Sequence, residues 1–250
     1  MGDGIRFVLR GVGQSLITAG LVILLFVVYE VYITNIFAHQ EQVKVHTALE
    51  KQWAKGSDPL PLPGASNAAI PIGEGIANLY IPRFGKDFAF TIVEGTDNAS
   101  LEKGPGHYTD TALPGAIGNF AVAGHRVGKG EPFLNLDRLQ PGDTVIIETK
   151  AKWYVYVVKG AKGDITSTVP DGIPGREIVA PSDGGVILPV PNQAQAKPTE
   201  TLMTMTTCHP KFTATQRMVL HALLNPHLTV PRVGADMPAS ISSLYDAAGV

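Results

Sequence analysis

The sequence predicts a mainly β domain, either a barrel or a sandwich, that follows one membrane-spanning helix near the N-terminus. Three observations support this fold class. A long apolar run lies close to the N-terminus. From about residue 75 onward, short runs of β-branched and aromatic residues alternate with Pro-Gly and Gly-Asp turns. About eight such runs fall within roughly 155 residues, and the helical patterns between them are short, as is typical of these two folds.

The apolar segment 11–37 is long enough to cross a bilayer, which takes roughly 20 residues. Arg6 and Arg10 lie just before the apolar run, whereas its far side carries no charge until His39 and Glu41. Because positively charged flanks stay on the inner side, we expect a cytoplasmic N-terminus and an extracellular domain.

A cleaved signal peptide is the alternative to an anchor. Its apolar region would be shorter, roughly 7 to 15 residues, and a small-x-small cleavage site should follow it. The segment after Tyr29 contains no clean site of this kind. An uncleaved anchor is therefore the favoured interpretation.

Two different segments are predicted between the anchor and the β domain. The sequence HQEQVKVHTALEKQWAK places apolar residues among charges and favours a short stalk helix. The sequence GSDPLPLPGASNAAIPIGEG is dense in Pro, Gly, Ser and Ala, and is typical of a linker. The predicted organisation is a cytoplasmic N-terminus at 1–10, an anchor at 11–37, a stalk and linker at 38–74, a β domain at 75–231 and a loose tail at 232–250.

Eight runs within the β domain are predicted to be strands: ANLYIP, FAFTIVEG, NFAVAGH, DTVIIET, KWYVYVVKG, GVILPV, TLMTMTTC and QRMVLHALL. NASLEKG and FLNLDRL are short helical candidates. The segment 164–199 is a long connection rich in Pro, Gly and Asp, in which GVILPV is the one clear strand. Loops of that length usually form functional walls or lids.

The overall charge excludes one class of function. The formal net charge is −2, the pI is about 6.4, and no basic run is interleaved with aromatic residues, so nucleic-acid binding is not expected. The single cysteine excludes an internal disulfide. A lone thiol in an oxidising exterior is either buried or used.

Cys208 lies at the end of the predicted strand TLMTMTTC, beside the loop HPKFTAT. Period-two alternation places Leu202, Thr204, Thr206 and Cys208 on one face. Arg217 opens the returning strand, so antiparallel pairing would bring its guanidinium close to the thiol, where it can hold a carbonyl or stabilise an oxyanion. The alternative is a cysteine packed as a small hydrophobe, with the arginine on a solvated edge.

A cysteine nucleophile needs an imidazole that the fold brings to it. Five of the seven histidines are less suitable because of their positions. His39 and His46 lie in the anchor and stalk region, and His227 lies beyond the last strand. His209 points to the opposite face of the strand, and His221 lies too deep in its strand. His107 lies in the turn-rich loop GPGHYTD, whereas His125 ends the strand NFAVAGHR. Position favours His125.

Together, NFAVAGHR and TLMTMTTCHPKFTATQR resemble the sortase family, the membrane-anchored cysteine transpeptidases of Gram-positive cell envelopes. The likeness covers roughly residues 75 to 231, and His125, Thr207-Cys208 and Arg217 match the family motifs in order. Met205-Thr206-Thr207 departs from the commonest motif. Together with CHPKF and GPGHYTDTALPG, this departure is similar to the actinobacterial class E branch.

The resemblance implies a closed eight-stranded β-barrel that cuts an LPxTG-type or LAxTG-type sorting signal between Thr and Gly. Cys208 would attack the threonine carbonyl, His125 would protonate the leaving amine, and Arg217 would hold the substrate and help to stabilise the oxyanion. An amine on a peptidoglycan precursor would then resolve the thioester. The expected partners are secreted proteins that carry a sorting signal, the precursor amine and membrane lipid.

The resemblance also suggests substrate-binding residues. A tyrosine in the GPGHY loop is implicated in the class E preference for LAxTG, and Tyr108 stands at that position. Thr206 and Thr207 are expected to contribute to the substrate groove. Ordinary packing is the alternative for Tyr108 and Thr207, as a half-buried aromatic and a β-branched strand residue.

Asn119 and Asp110 are weak candidates to orient His125. No metal or cofactor is expected, because the carboxylates of the long connection match no calcium-loop spacing: Asp164, Asp171, Glu177 and Asp183. Two other functions remain open. They are a hydrolytic cysteine protease or amidase, and an anchored binding module with an inert thiol.

Overall fold

The computed structural model describes residues 2–29, 34–61, 70–168 and 171–249. Helix α1 (Gly2–Val28) is apolar and exposed, and its segment Gly4–Val28 is long and apolar enough to cross a membrane. Such a helix fits membrane anchoring. It begins earlier than the predicted segment 11–37, and residues 30–33 of that segment lie outside the described residues.

Helix α2 (Thr34–Ala54) contains the predicted stalk helix, but it packs on the β domain rather than standing free. Leu49 and Trp53 are buried. The Gln42 side chain continues the sheet pattern, because its Oε1 accepts from the Thr91 backbone N–H at 2.8 Å and its amide donates to the Thr91 carbonyl at 3.0 Å. Helix α2 thus lies against the barrel wall through its buried apolar residues and through Gln42.

Ten strands form one sheet within the described part of the chain. They are β1 (Gly75–Tyr80), β2 (Ala89–Glu94), β3 (Gly106–His107), β4 (Gly118–Ala123), β5 (Thr144–Glu148), β6 (Lys152–Val158), β7 (Arg176–Val179), β8 (Thr201–His209), β9 (Gln216–Leu224) and β10 (Val230–Pro231).

The sheet closes into a barrel of eight strands. Their order is β6-β5-β1-β2-β3-β4-β8-β9, and β9 pairs back to β6 through Val157↔Leu223. Strand β7 pairs with the first half of β9, and β10 pairs with the start of β6. The closed eight-stranded barrel that the resemblance implies is confirmed.

Alternation along the strands separates the barrel interior from a polar outer face. Phe120, Val122, Met203, Met205 and Leu220 are fully buried in one hydrophobic core. Their neighbours on β4, β8 and β9 point outward and include buried polar side chains: Asn119, Thr204 and His221. This polar outer face carries the candidate site.

The long connection differs from the prediction. GVILPV is not a strand: Gly185–Ile187 forms a short 3-10 helix, and the strand of this connection is β7. Pro189 and Pro191 lack the N–H groups that a ladder requires, which accounts for the irregular backbone. Residues 169–170 of the connection lie outside the described residues.

The C-terminal segment also differs, because it is not a loose tail. Helix α4 (Ala239–Ala247) buries Ile241 and Tyr245 against Trp153 and Val155 on the outside of β6. The short helix α3 (Asn98–Leu101) and a 3-10 turn at Leu136–Arg138 match the two short helical candidates. Residues 62–69 of the predicted linker lie outside the described residues.

Candidate active site

The hairpin of β8 and β9 aligns the thiol with a cation. Cys208 pairs directly with Arg217, as antiparallel pairing predicts, so both side chains leave the same face of the hairpin. Cys208 is half-buried. The Arg217 Nη1 donates to the carbonyls of Ala214 and Gln216 at 3.1 and 3.0 Å. The loop therefore holds this guanidinium at the end of the barrel.

His125 follows β4, which runs parallel to β8. The register pairs Ala121 with Thr204 and Ala123 with Thr206, and the Gly124 N–H donates to the Thr206 carbonyl at 3.0 Å. Continuing this register by two residues brings His125 beside Cys208 on the outer face. The parallel register therefore puts the end of β4, two residues before His125, at the same end of the barrel as Cys208.

The surroundings of His125 favour a neutral imidazole. Burial lowers the pKa of His125, the nearby Lys129 lowers it further, and Glu102 partly opposes them. Lys129 Nζ lies 2.8 Å from Glu102 Oε1, so these two charges form a pair. The Nε2 atom of His125 is buried and has no hydrogen-bond partner among the described residues. A neutral ring with a free nitrogen can accept a proton.

Arg126 ties the ends of β4 and β8 together. It is only 4 % exposed, and its Nη1 donates to the Cys208 carbonyl at 3.3 Å and lies 2.8 Å from His209 Nδ1. Its Nη2 lies 3.2 Å from Asp137 Oδ1. No motif in the sequence indicates a role for Arg126.

Thr207 lies on the face opposite Cys208. It is buried on the side of Met203 and Met205, and its hydroxyl donates to the Gly124 carbonyl at 2.8 Å. The structure differs here from the expectation that Thr207 lines the groove. The hydroxyl instead holds the backbone that leads into His125.

Tyr108, Thr206 and Arg217 line one small cavity of about 160 Å³. The Tyr108 hydroxyl lies 2.9 Å from Thr206 Oγ1, so these two side chains form a common wall. The opposite wall comes from the end of β7 and the residues up to the 3-10 helix. The long connection thus provides a wall of the candidate groove.

Buried hydrogen bonds fix the wall beside the 3-10 helix. Asn119 Nδ2 donates to the carbonyls of Val186 and Leu188 at 3.3 and 3.0 Å. Thr204 Oγ1 donates to Asn119 Oδ1 at 2.7 Å and lies 2.8 Å from His221 Nδ1. Asn119 therefore holds this wall, and its described contacts do not include His125.

His107 supports the wall that carries Tyr108. Its ring is fully buried, with Nδ1 2.8 Å from Glu94 Oε2 and Nε2 3.1 Å from the Ala112 carbonyl. Asp110, the other residue considered as a partner of His125, is exposed. His107 is thus a buried residue at the end of β3.

The acidic residues of the long connection are partly engaged. Asp171 pairs with Lys159, and Glu177 lies 2.9 Å from His221 Nε2. Among the residues that the structure describes, no group of three or more His, Cys, Asp or Glu side chains is placed to hold a metal ion.

Comparison with known proteins gives one family. A model of the sortase domain matches residues 79–225. Sortase SrtE1 of Streptomyces coelicolor is 35% identical over 218 residues, which cover 84% of this chain and 55% of that protein. Sortase SrtE2 of the same organism is 31% identical over 217 residues, which cover 83% and 78%. The chain thus spans about half the length of SrtE1.

Solved structures agree with these matches. The SrtF sortase from Corynebacterium diphtheriae superposes with a TM-score of 0.62 at 41% identity, covering 74% of this chain and 97% of that one. Sortase E1 from Streptomyces coelicolor, solved with a tripeptide in the active site, superposes with a TM-score of 0.55 at 32% identity, covering 67% and 96%. Both superpositions include the greater part of this chain.

Proposed function

Because the chain belongs to the sortase family, we propose that it is a membrane-anchored cysteine transpeptidase that cleaves an LAxTG-type or LPxTG-type sorting signal between Thr and Gly. It then joins the acyl group to an amine of a cell-wall precursor, which anchors the secreted protein. The observation that supports this proposal is the strand register: it pairs Cys208 with Arg217, and it sets the end of β4, two residues before His125, beside Thr206 of the strand that carries Cys208.

In the first half-reaction, the Cys208 sulfur attacks the threonine carbonyl while His125 accepts the thiol proton. His125 then donates that proton to the leaving glycine amine as the peptide bond breaks and a thioester remains. The Arg217 guanidinium stabilises the oxyanion of the tetrahedral intermediate. The lowered pKa of His125 supports this role, because it keeps the resting ring neutral.

In the second half-reaction, the precursor amine attacks the thioester carbonyl. His125 takes a proton from the attacking amine and returns it to the departing Cys208 sulfur, so the enzyme regains its starting state. A thioester reacts readily with amines, so it suits the transfer of the acyl group to the precursor amine.

The substrate groove is proposed to run past the cavity that Tyr108 and Thr206 share with Arg217. The hydroxyl pair of Tyr108 and Thr206 presents polar atoms beside an apolar wall formed by Val186 and Val219. A short peptide with alternating small and apolar residues fits such a surface. We assign Tyr108 and Thr206 to the recognition of the sorting signal.

The proposed topology follows the charges that flank α1. Residues 1–10 with Arg6 and Arg10 stay in the cytoplasm. The membrane span, expected from sequence at 11–37, is the part of α1 that ends at Val28, and the domain that follows it lies outside the cell. The stalk and linker occupy 38–74, the catalytic barrel 75–231 and the C-terminal segment 232–250.

The test uses the full chain in lipid nanodiscs. LAxTG and LPxTG peptides are incubated with and without a glycine or diaminopimelate amine, and the products are identified by mass spectrometry. The variants are Cys208→Ala, His125→Ala and Arg217→Ala, with the exposed His227→Ala and Arg138→Ala as matched controls.

The proposal predicts an amine-exchanged product that is lost in the three site variants and retained in both controls. Hydrolysis that is insensitive to the amine would instead identify a protease. Peptides left intact by the wild-type chain, together with a thiol inert to vinyl sulfones, would identify a binding module.

A further inference from the structure

The loop that follows His125, residues 126–131, is fastened to the first turn of α2. Asn35 Nδ2 donates to Glu131 Oε1 at 3.1 Å, and the Gly130 N–H donates to Asn35 Oδ1 at 3.0 Å. Glu131 Oε1 also accepts from the Gly128 N–H at 3.1 Å. A single amide thus uses its donor and its acceptor on the same loop.

The loop needs such contacts because its backbone is unfavourable. Four consecutive residues have positive φ: Gly128 at 68°, Lys129 at 53°, Gly130 at 81° and Glu131 at 50°. For residues other than glycine, this conformation costs roughly 1–2 kcal/mol each. It persists where surrounding structure holds it. The hydrogen bonds of Asn35 and Glu131 are such a hold.

The same loop carries a charge that acts on His125. Two charged side chains are the electrostatic partners of His125: Lys129, which lies on the loop, and Glu102, which follows α3 and pairs with Lys129. On its other side, the His125 carbonyl accepts from the Phe133 N–H at 3.1 Å. The loop conformation therefore sets both the backbone and the electrostatic surroundings of His125.

Asn35 also occupies a particular place in the chain. It lies at the start of α2, only a few residues beyond the end of the apolar helix α1 at Val28. We propose that Asn35 is a positioning residue for His125, so that the segment directly after the membrane anchor completes the active site. The inference rests on the proposed catalytic role of His125. Its consequence is that the anchor-proximal helix affects the chemistry as well as the location of the domain.

An inversion of hydrogen-bonding partners tests this contact. Asn35→Asp places a carboxylate against that of Glu131, which removes the donor and adds repulsion. Glu131→Gln keeps an acceptor for both Asn35 and Gly128. The double variant Asn35→Asp/Glu131→Gln restores the hydrogen bond in the opposite direction: the amide at position 131 now donates, and the carboxylate at position 35 accepts. Gln40→Glu, on an exposed position of the same helix, is the control for added charge.

The full-length variants are compared in nanodiscs by kcat, KM, thermal midpoint and an NMR titration of the His125 imidazole. We expect Asn35→Asp to lower kcat roughly tenfold with little change in KM, because small misplacements of a catalytic group are costly. It should also move the His125 titration midpoint upward, as Lys129 leaves. The double variant should recover both quantities, and Gln40→Glu should leave them unchanged.

Several results would overturn the inference. Equal losses in Asn35→Asp and in the double variant would show that the paired contact is not the cause. An unchanged His125 titration midpoint in Asn35→Asp would also overturn the inference. So would a loss of kcat in Gln40→Glu equal to that in Asn35→Asp. Failure of the proposed function is a separate result: His125→Ala would then retain activity, whereas the NMR titration would still report whether Asn35 holds the loop.

Discussion

Replacing Thr204 with valine removes one hydroxyl from the outer face of the barrel while it keeps the β-branched shape. Thr204 is fully buried between β4 and β9. Its hydroxyl lies 2.7 Å from Asn119 Oδ1 and 2.8 Å from His221 Nδ1. The substitution thus leaves two buried polar atoms without their partner. No cavity forms, so the cost is one of hydrogen bonding.

The matched substitution is Thr207→Val on the same strand. Thr207 is also buried, but its hydroxyl bonds to a single group, the Gly124 carbonyl. An orphaned buried polar group costs about 1–3 kcal/mol. We therefore expect a loss of about 3 kcal/mol for Thr204→Val and about 1.5 kcal/mol for Thr207→Val. For a chain of this size, these losses lower Tm by roughly 6–12 °C and 3–6 °C.

Tryptophan fluorescence can follow the unfolding of the detergent-solubilised chain, because both tryptophans, Trp53 and Trp153, are buried. The two valine variants are heated beside the wild type at the same detergent concentration. An equal shift in the two variants, or a larger one in Thr207→Val, would refute the reasoning. The destabilisation would then depend on the strand position rather than on the number of orphaned groups.

Three further predictions concern the groove, the imidazole and the C-terminal helix. Tyr108→Phe, which loses the bond to Thr206, should change the ratio of kcat/KM between LAxTG and LPxTG peptides, and an unchanged ratio would exclude Tyr108 from recognition. Lys129→Met should raise the pKa of His125, because a neighbouring cation is removed; the NMR titration midpoint should move to higher pH, and a downward shift would contradict this. Ile241→Ala should lower the free energy of unfolding by about 2–3 kcal/mol, measured by thermal unfolding. If the C-terminal segment were a loose tail, the free energy of unfolding would not change.

The family and its class E likeness could be identified from sequence because the residues concerned lie on two long, regular strands. Alternation along β8 fixes which residues share a face with Cys208, and the short loop before β9 fixes its partner. The similarity to SrtE1 and SrtE2 confirms this identification. The closed barrel followed from the same resemblance.

Other elements could not be read from local patterns. GVILPV has the composition of a strand, but Pro189 within it and Pro191 after it prevent continuous pairing. Strand β7 has only four residues, which is too short for a clear alternation. Strand β3 has two residues and therefore no periodicity. Helix α4 is an exception, because its sequence has a helical pattern: Ile241, Leu244 and Tyr245 have the spacing of residues on one face of a helix.

Arg126 and Thr207 were missed or misassigned for a related reason. Alternation places each on the face opposite its functional neighbour, His125 and Cys208 respectively. Each donates a hydrogen bond to a backbone carbonyl: Arg126 to that of Cys208, and Thr207 to that of Gly124. A backbone acceptor leaves no mark in the side-chain pattern, so only the three-dimensional pairing of β4 with β8 reveals these roles.

Buried polar groups help to hold both walls of the candidate groove. On one wall, both ring nitrogens of His107 are engaged: Nδ1 lies 2.8 Å from Glu94 Oε2, and Nε2 lies 3.1 Å from the Ala112 carbonyl. On the other wall, the Asn119 amide group donates two hydrogen bonds to backbone carbonyls of the long connection. Hydrogen bonds restrict the position of a wall more than apolar contacts do. If a bonded group shifts, its buried partner is left without a hydrogen bond, which costs free energy. Groove shape in this protein therefore depends on residues that no peptide needs to touch.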